Sequence, residues 1–223
     1  MEQLNKIFTK HIDEGRFPGI QWQINIKDKI YSGKIGYNDI ETKDPVLDNT
    51  IYRIWSMTKP VVAVAGLQLL EQNKIKLDYL VTKYLPEFSN LKVLKKENAS
   101  IDDVEDLKIE TTIKDLFLHT AGFSYNFLAD QIGRKYYEVN LFHSDTTTLE
   151  EEIKKLAELP LLYQPKNKWV YSVSMDVLGR ILEVVLDDTL KNILQKNIFN
   201  TLEMNETKFT VPLDSENRLM KTY

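Results

Sequence analysis

The sequence predicts an α+β fold in which helices pack against an antiparallel sheet, and two observations carry that prediction. Residues 20–26 alternate apolar and polar side chains, and a short polar turn separates them from a second strand-like segment at 30–37, which is typical of a β-hairpin. Segments with helical periodicity then follow one another as far as residue 199, before a last short β-type segment. The order helix, hairpin, several helices and strand favours an antiparallel sheet with helices packed on it.

The first predicted elements are a helix and the hairpin. Residues 4–15 place apolar side chains on one helical face and end in glycine. Pro18 and Gly19 interrupt the chain, and strands are expected over 20–26 and 30–37.

A long apolar segment after the hairpin predicts a buried helix. It begins at Ser56, carries Pro60 in its first turn, where a missing N–H costs little, and ends at Asn73. The polar stretch 92–110 carries many charges and is interpreted as a solvated loop. Further helices are predicted over 112–119, with Thr111 or Thr112 as cap, and over 149–159, 173–186 and 190–199, with a strand over 208–211.

Ser56 to Lys59 form a Ser-x-x-Lys motif at the start of the buried helix. Positions three apart share a helix face, so the Ser56 hydroxyl and the Lys59 amine are expected to meet. A serine hydroxyl becomes a good nucleophile when a neighbouring base takes its proton. Burial favours the neutral form of a lysine, so Lys59 is expected to be that base. The motif alone is a weak signal, because four-residue patterns recur by chance.

Tyr171 is the third candidate. It follows the apolar residues Trp169 and Val170, so we expect its ring to be partly buried and its hydroxyl to need a partner. A phenol beside a lysine ammonium has its ionised form favoured, and it can move a proton between the serine and a leaving group. The chain has 11 tyrosines, most of which are expected to serve packing.

Several longer blocks follow one another in a recognisable order. They read YRIWSMTK at 52–59, YLPEF at 84–88, DLFLHTAGF at 115–123 and WVYSVSMDVLGR at 169–180. Together they resemble the serine β-lactamase and penicillin-binding-protein superfamily, and within it the class C-like esterases. Shorter matches lie at 17–19, 77–78, 160–162, 198–199 and 202–204.

The resemblance implies a β-lactamase/transpeptidase-like fold within a single domain over residues 1–223, with a helical subdomain at roughly 75–165. It implies that Ser56 is the acylated nucleophile, Lys59 its base and Tyr171 the proton shuttle. The backbone N–H of Ser56 would form half of an oxyanion hole. It implies neither a cofactor nor a metal.

The sequence departs from the pattern of that superfamily in two respects. Its lactamase-like members carry Tyr-x-Asn, whereas the third position here is Val173, which cannot offer an amide to an acylamide side chain. This favours esters over β-lactams. The third family motif, Lys-Thr-Gly or an equivalent, is not found after Tyr171. We therefore expect the C-terminal strands of the sheet to be missing, and the uncovered sheet edge to promote self-association.

The composition restricts the classes of binding partner that the chain is expected to have. The formal net charge of −4 gives no reason to expect nucleic acid or an anionic membrane. The polar N-terminus does not resemble a secretory signal, and the chain has no cysteine, so a cytoplasmic location is expected. The expected partner is a small-molecule ester substrate.

Three alternatives stay open. The first alternative is a β-lactamase or D-Ala-D-Ala carboxypeptidase, against which the absence of a recognisable secretory signal argues. The second is a non-catalytic relative kept for binding or assembly. A Ser/His/Asp triad with His119 and Asp115 is disfavoured, because Ser56 lacks a Gly-x-Ser-x-Gly context.

Overall fold

The computed structural model describes residues 2–144 and 146–223 and contains helices and small antiparallel sheets. The predicted α+β class is confirmed. The chain forms two compact units, one containing the residues up to Trp55 together with Glu206–Tyr223, the other Ser56–Asn205. The helical subdomain predicted at 75–165 falls within the second unit.

The first unit contains helix α1 (Glu2–Asp13) and a three-stranded antiparallel sheet. The sheet order is β1 (Gly19–Ile26), β2 (Lys29–Asp39) and β3 (Asp44–Pro45). The predicted hairpin is confirmed, and its turn residues Lys27 and Asp28 have φ angles of 46° and 65°. Two positive φ angles in a two-residue loop match the right-handed twist of the strands that the loop joins.

The second unit is mainly helical and contains the larger core. A short hairpin accompanies the helices. The elements of the second unit are α2 (Thr58–Glu71), β4 (Lys92–Leu94), β5 (Val104–Asp106), α3 (Ile113–Phe117), α4 (Gln131–Glu138), α5 (Leu149–Ala157), α6 (Ser174–Leu186), α7 (Leu190–Leu194) and a π-helical turn over Gln195–Phe199.

Helices α2 and α3 both pack against α6, and this contact positions the chemistry described below. A glycine at position 66 of α2 permits the close approach, since an added Cβ there would lie 2.7 Å from the Phe117 ring and 3.3 Å from Leu178. Leu178 and its neighbour one turn on, Ile181, are fully buried. The packing of these apolar helix faces therefore positions the N-terminal ends of α2 and α6 relative to each other.

Helix α3 begins with a capping box, and the loop that follows it contains two residues with positive φ. Asp115 accepts hydrogen bonds from the N–H and the hydroxyl of Thr112, at 2.9 and 2.6 Å. This identifies Thr112, one of the two predicted candidates, as the cap. His119 and Gly122 have φ angles of 53° and 92°, which turn the chain back over the helix.

Three local predictions were wrong. The stretch 92–110 is not wholly a solvated loop, because β4 and β5 pair there and Val93 is fully buried. No strand forms over 208–211 within the described residues; a β-prone segment needs a partner ladder, and here bends lead to a 3₁₀ helix over Leu213–Arg218. Helix α4 was missed, although Asp130 caps it by accepting from the Gly133 N–H at 2.8 Å.

None of the helices in residues 2–144 and 146–223 combines the length and the apolar character needed to cross a membrane.

Gly122→Ala should destabilise the protein far more than Gly15→Ala. Both glycines have positive φ, so each alanine carries a backbone cost of about 1 kcal/mol. A Cβ at Gly15 meets nothing within 4 Å, whereas one at Gly122 collides with the carbonyl oxygen of Tyr163. We expect Gly122→Ala to cost more than about 3 kcal/mol in urea unfolding. Equal costs for the two variants would show that the Gly122 contact is unimportant.

Candidate active site

Ser56 lies in a 3₁₀ turn, Trp55–Met57, which runs directly into α2. The side chain of Ser56 is exposed. The Tyr171 hydroxyl donates to Ser56 Oγ at 2.5 Å, and Lys59 Nζ approaches the same oxygen at 3.5 Å. The three residues selected from the sequence therefore converge, although Tyr171 lies 115 positions from Ser56 along the chain.

A second tyrosine completes the cluster. Lys59 Nζ donates to the Tyr125 hydroxyl at 3.4 Å and lies 4.8 Å from the ring centroids of both Tyr125 and Tyr171. The two phenol rings are nearly parallel, at 12°, with centroids 5.6 Å apart. The ammonium group is thus held by a hydrogen bond and by two aromatic rings, a favourable arrangement for a cation.

Sequence reasoning missed Tyr125. A single tyrosine after the His-Thr-x-Gly stretch has no distinguishing pattern, and it reaches Lys59 only because the loop turns back at His119 and Gly122. The one available signal was its position two residues after the end of the block at 115–123.

The charge of Lys59 differs from the prediction. Burial lowers the Lys59 pKa, but the Tyr171 hydroxyl, Tyr125 and the carboxylate of Asp176 together raise it above its ordinary value. These neighbours favour the protonated form of Lys59, whereas burial alone favours the neutral form that the predicted base would need. In its protonated form Lys59 stabilises negative charge on its neighbours.

The pKa values of Tyr171 and Tyr125 are shifted in opposite directions. Burial raises the Tyr171 pKa, but the hydrogen bond with Ser56 and the nearby Lys59 ammonium outweigh it, so the pKa is lowered. The Tyr125 pKa is raised, chiefly by burial. Paired titratable groups with opposite shifts are typical of different roles, and the lowered pKa of Tyr171 is in line with the predicted role of proton shuttle, which stays a prediction.

Asp176 is the acidic group of the site. It lies in the first turn of α6, and burial raises its pKa to about 6 despite the opposing effect of Lys59. Above that pH its carboxylate raises the pKa of Lys59 and, to a smaller extent, that of Tyr171.

His119 and Asp115 do not form a triad with Ser56 among the hydrogen bonds of the described residues. The Asp115 carboxylate accepts from the hydroxyl groups of Thr112 and Thr120. His119 Nδ1 accepts from the Ser172 N–H at 3.2 Å, and its ring stacks on Tyr171 at 5.3 Å. Burial, followed by the charge of Lys59, lowers the His119 pKa. His119 is thus a neutral support behind Tyr171.

Val173 lies in the core. It is 2% exposed, and its N–H donates to the Ser124 carbonyl at 3.1 Å. The position at which an asparagine amide would face an acylamide side chain is therefore occupied by a buried apolar group.

Comparison with known proteins agrees with this geometry. The sequence profile of the family described as Beta-lactamase matches residues 4–223. Protein Rv1367c of Mycobacterium tuberculosis is 30% identical over 213 residues, which cover 95% of this chain and 52% of that protein. Esterase EstB of Burkholderia gladioli is 30% identical over 213 residues, covering 93% of this chain and 51% of EstB.

Among solved structures, EstCE1, described as a hydrolase with promiscuous acyltransferase activity, superposes with a TM-score of 0.85 at 28% identity. The alignment covers 100% of this chain and 56% of EstCE1. The chain thus spans about half the length of the curated relatives it matches.

Tyr171→Phe should slow the reaction of Ser56 with a fluorophosphonate by about 100- to 10,000-fold, because it removes the proton acceptor while keeping the ring stack. Tyr125→Phe should slow it by about 10-fold or less, because it removes only a hydrogen bond to Lys59. Rates of adduct formation on Ser56, followed by mass spectrometry, make the comparison. Equal losses in the two variants would contradict the assignment of Tyr171.

The pH profile of the same reaction should move in opposite directions in two variants. The rate should rise with pH as Tyr171 loses its proton. Lys59→Met removes the cation that lowers the Tyr171 pKa, so the inflection should move to higher pH. Asp176→Asn removes a carboxylate that raises it, so the inflection should move to lower pH.

The surface substitution Lys191→Met serves as the control and should leave the profile unchanged. Shifts of the same sign in Lys59→Met and Asp176→Asn would refute this electrostatic account.

Proposed function

The chain belongs to the Beta-lactamase family, and from that membership we propose that it is a serine hydrolase that cleaves small carboxylic esters through an acyl-enzyme. The observation that carries the proposal is the 2.5 Å hydrogen bond between the Tyr171 hydroxyl and Ser56 Oγ, beside the Lys59 ammonium. The similarity to Esterase EstB supports ester chemistry, and the similarity to the hydrolase EstCE1 supports hydrolysis.

In the proposed acylation step, Tyr171 has already released its own proton to solvent and acts as a phenolate. Ser56 Oγ forms a bond to the ester carbonyl carbon as its proton passes to the phenolate oxygen of Tyr171. The carbonyl oxygen takes up the negative charge, for which the backbone N–H of Ser56 is a donor. Collapse of the tetrahedral intermediate breaks the bond to the alcohol oxygen, which receives the proton from Tyr171. The alcohol then leaves and Ser56 carries the acyl group.

Deacylation repeats these transfers with water. Tyr171 takes a proton from the attacking water molecule, and the bond between Ser56 Oγ and the acyl carbon breaks. The proton returns to Ser56 Oγ and the carboxylic acid leaves. Throughout both steps the Lys59 ammonium stabilises the Tyr171 phenolate and is not itself deprotonated, which agrees with its raised pKa.

Two measurements test the proposal. A fluorophosphonate probe should label Ser56, and wild-type protein should hydrolyse a short-chain nitrophenyl ester. Ser56→Ala should abolish both activities and leave the circular dichroism spectrum unchanged, because the side chain is exposed. Ser100→Ala, at another exposed serine, is the matched control and should retain both.

Absence of any adduct on Ser56 in folded wild-type protein would support the alternative of a non-catalytic relative. The β-lactamase alternative is tested with a chromogenic cephalosporin. Because Val173 is buried and offers no amide, kcat/KM for the ester should exceed kcat/KM for the cephalosporin. Comparable values on the two substrates would overturn the ester assignment.

A further inference from the structure

Five rings follow one another in contact beside Ser56, two of the contacts being stacked, one tilted and one edge-on. We call them the aromatic ladder: Trp169, His119, Tyr171, Tyr125 and Phe127, in spatial order. Successive centroids are 6.2, 5.3, 5.6 and 4.6 Å apart. These separations fall in the range in which aromatic rings attract one another. The ladder therefore connects the phenol that contacts the nucleophile with rings that face solvent.

Phe127 is the end of the ladder that lies nearer the chemistry. Its centroid is 4.6 Å from that of Tyr125 and 6.3 Å from that of Tyr171, yet the residue is 66% exposed. The other end, Trp169, is as exposed, but His119 separates it from Tyr171. Phe127 thus presents an open apolar surface next to the two tyrosines of the site.

The inner rings have no comparable surface to offer a substrate. Tyr125 and Tyr171 stack on each other, and the Lys59 ammonium lies 4.8 Å from both centroids. The same ammonium disfavours a cationic ligand at this point. A neutral planar group, in contrast, can pack on Phe127, whose ring lies 6.3 Å from that of Tyr171, the residue that contacts Ser56.

We propose that Phe127 is a specificity-determining residue whose open ring face binds a planar aromatic or conjugated group of the ester substrate. This inference rests on the proposed function, because it assigns the substrate class of the same site. The aromatic group lies on either the alcohol or the acyl side of the ester, and the two arms of the test below separate these cases.

The test measures binding to the unreactive Ser56→Ala protein by NMR titration. On the alcohol side, benzyl acetate is compared with cyclohexylmethyl acetate, which has a similar size but a puckered ring. On the acyl side, ethyl benzoate is compared with ethyl cyclohexanecarboxylate. Adding Phe127→Leu keeps an apolar side chain at that position and removes the flat face.

Phe127→Leu should weaken Kd about 3- to 10-fold for the aromatic ester of at least one pair, and less than about 2-fold for its saturated partner. Phe127→Tyr, which keeps the face, should restore the aromatic preference. Tyr137→Leu is the matched control, since Tyr137 on α4 is 72% exposed and lies outside the ladder. Tyr137→Leu should leave the Kd of the aromatic esters and the Kd of their saturated partners unchanged.

Equal weakening for the aromatic and saturated esters, or no weakening in either pair, would overturn the inference. The inference would also be overturned if Tyr137→Leu weakened binding of the aromatic ester as much as Phe127→Leu does. These outcomes are separate from failure of the proposed function, which shows as absence of a Ser56 adduct in wild-type protein and does not depend on Phe127. In wild-type protein the same substitution should raise KM for the aromatic ester and leave kcat nearly unchanged, because the stack forms equally in ground and transition states.

Discussion

The contact of the Lys59 ammonium with the rings of Tyr125 and Tyr171 is the interaction on which the rest of the site depends. Burial alone lowers the pKa of this partly buried ammonium and so weakens its hold on the proton. The phenol oxygens and Asp176 reverse that tendency. With its charge retained, Lys59 lowers the pKa of Tyr171, and Tyr171 in turn forms its short hydrogen bond to Ser56.

The fold provides this contact because it brings three separate segments of the chain close to one another. Lys59 lies in the first turn of α2, Tyr171 precedes α6, and Tyr125 follows the left-handed turn at Gly122. The close packing of α2 on α6 through Gly66 fixes the first two segments. Stacking of His119 behind Tyr171 orients the phenol. The site is thus set by packing between elements, which allows an exposed serine to be held beside a defined proton acceptor.

The sequence predicted the features that local chemistry determines. Alternation over 20–26, followed by the polar turn at 27–29, predicted the hairpin, and the Ser-x-x-Lys spacing placed Lys59 near Ser56. Features that depend on tertiary contacts were missed or mistaken. Tyr125 has no local pattern, and the charge of Lys59 depends on phenol groups at positions 125 and 171. Residues 208–211 have strand propensity but no ladder among the described residues, whereas β4 and β5 pair within a segment whose charges concealed its few buried residues.

The central claim is that the Lys59 ammonium makes Tyr171 the more acidic phenol of the pair. The most direct measurement is an NMR pH titration of protein carrying [ζ-¹³C]tyrosine, with Tyr125→Phe and Tyr171→Phe used to assign the two signals. The account predicts that Tyr171 loses its proton below the ordinary tyrosine pKa and Tyr125 above it. If Tyr171 titrated at or above the pKa of Tyr125, Lys59 would not control the site as described.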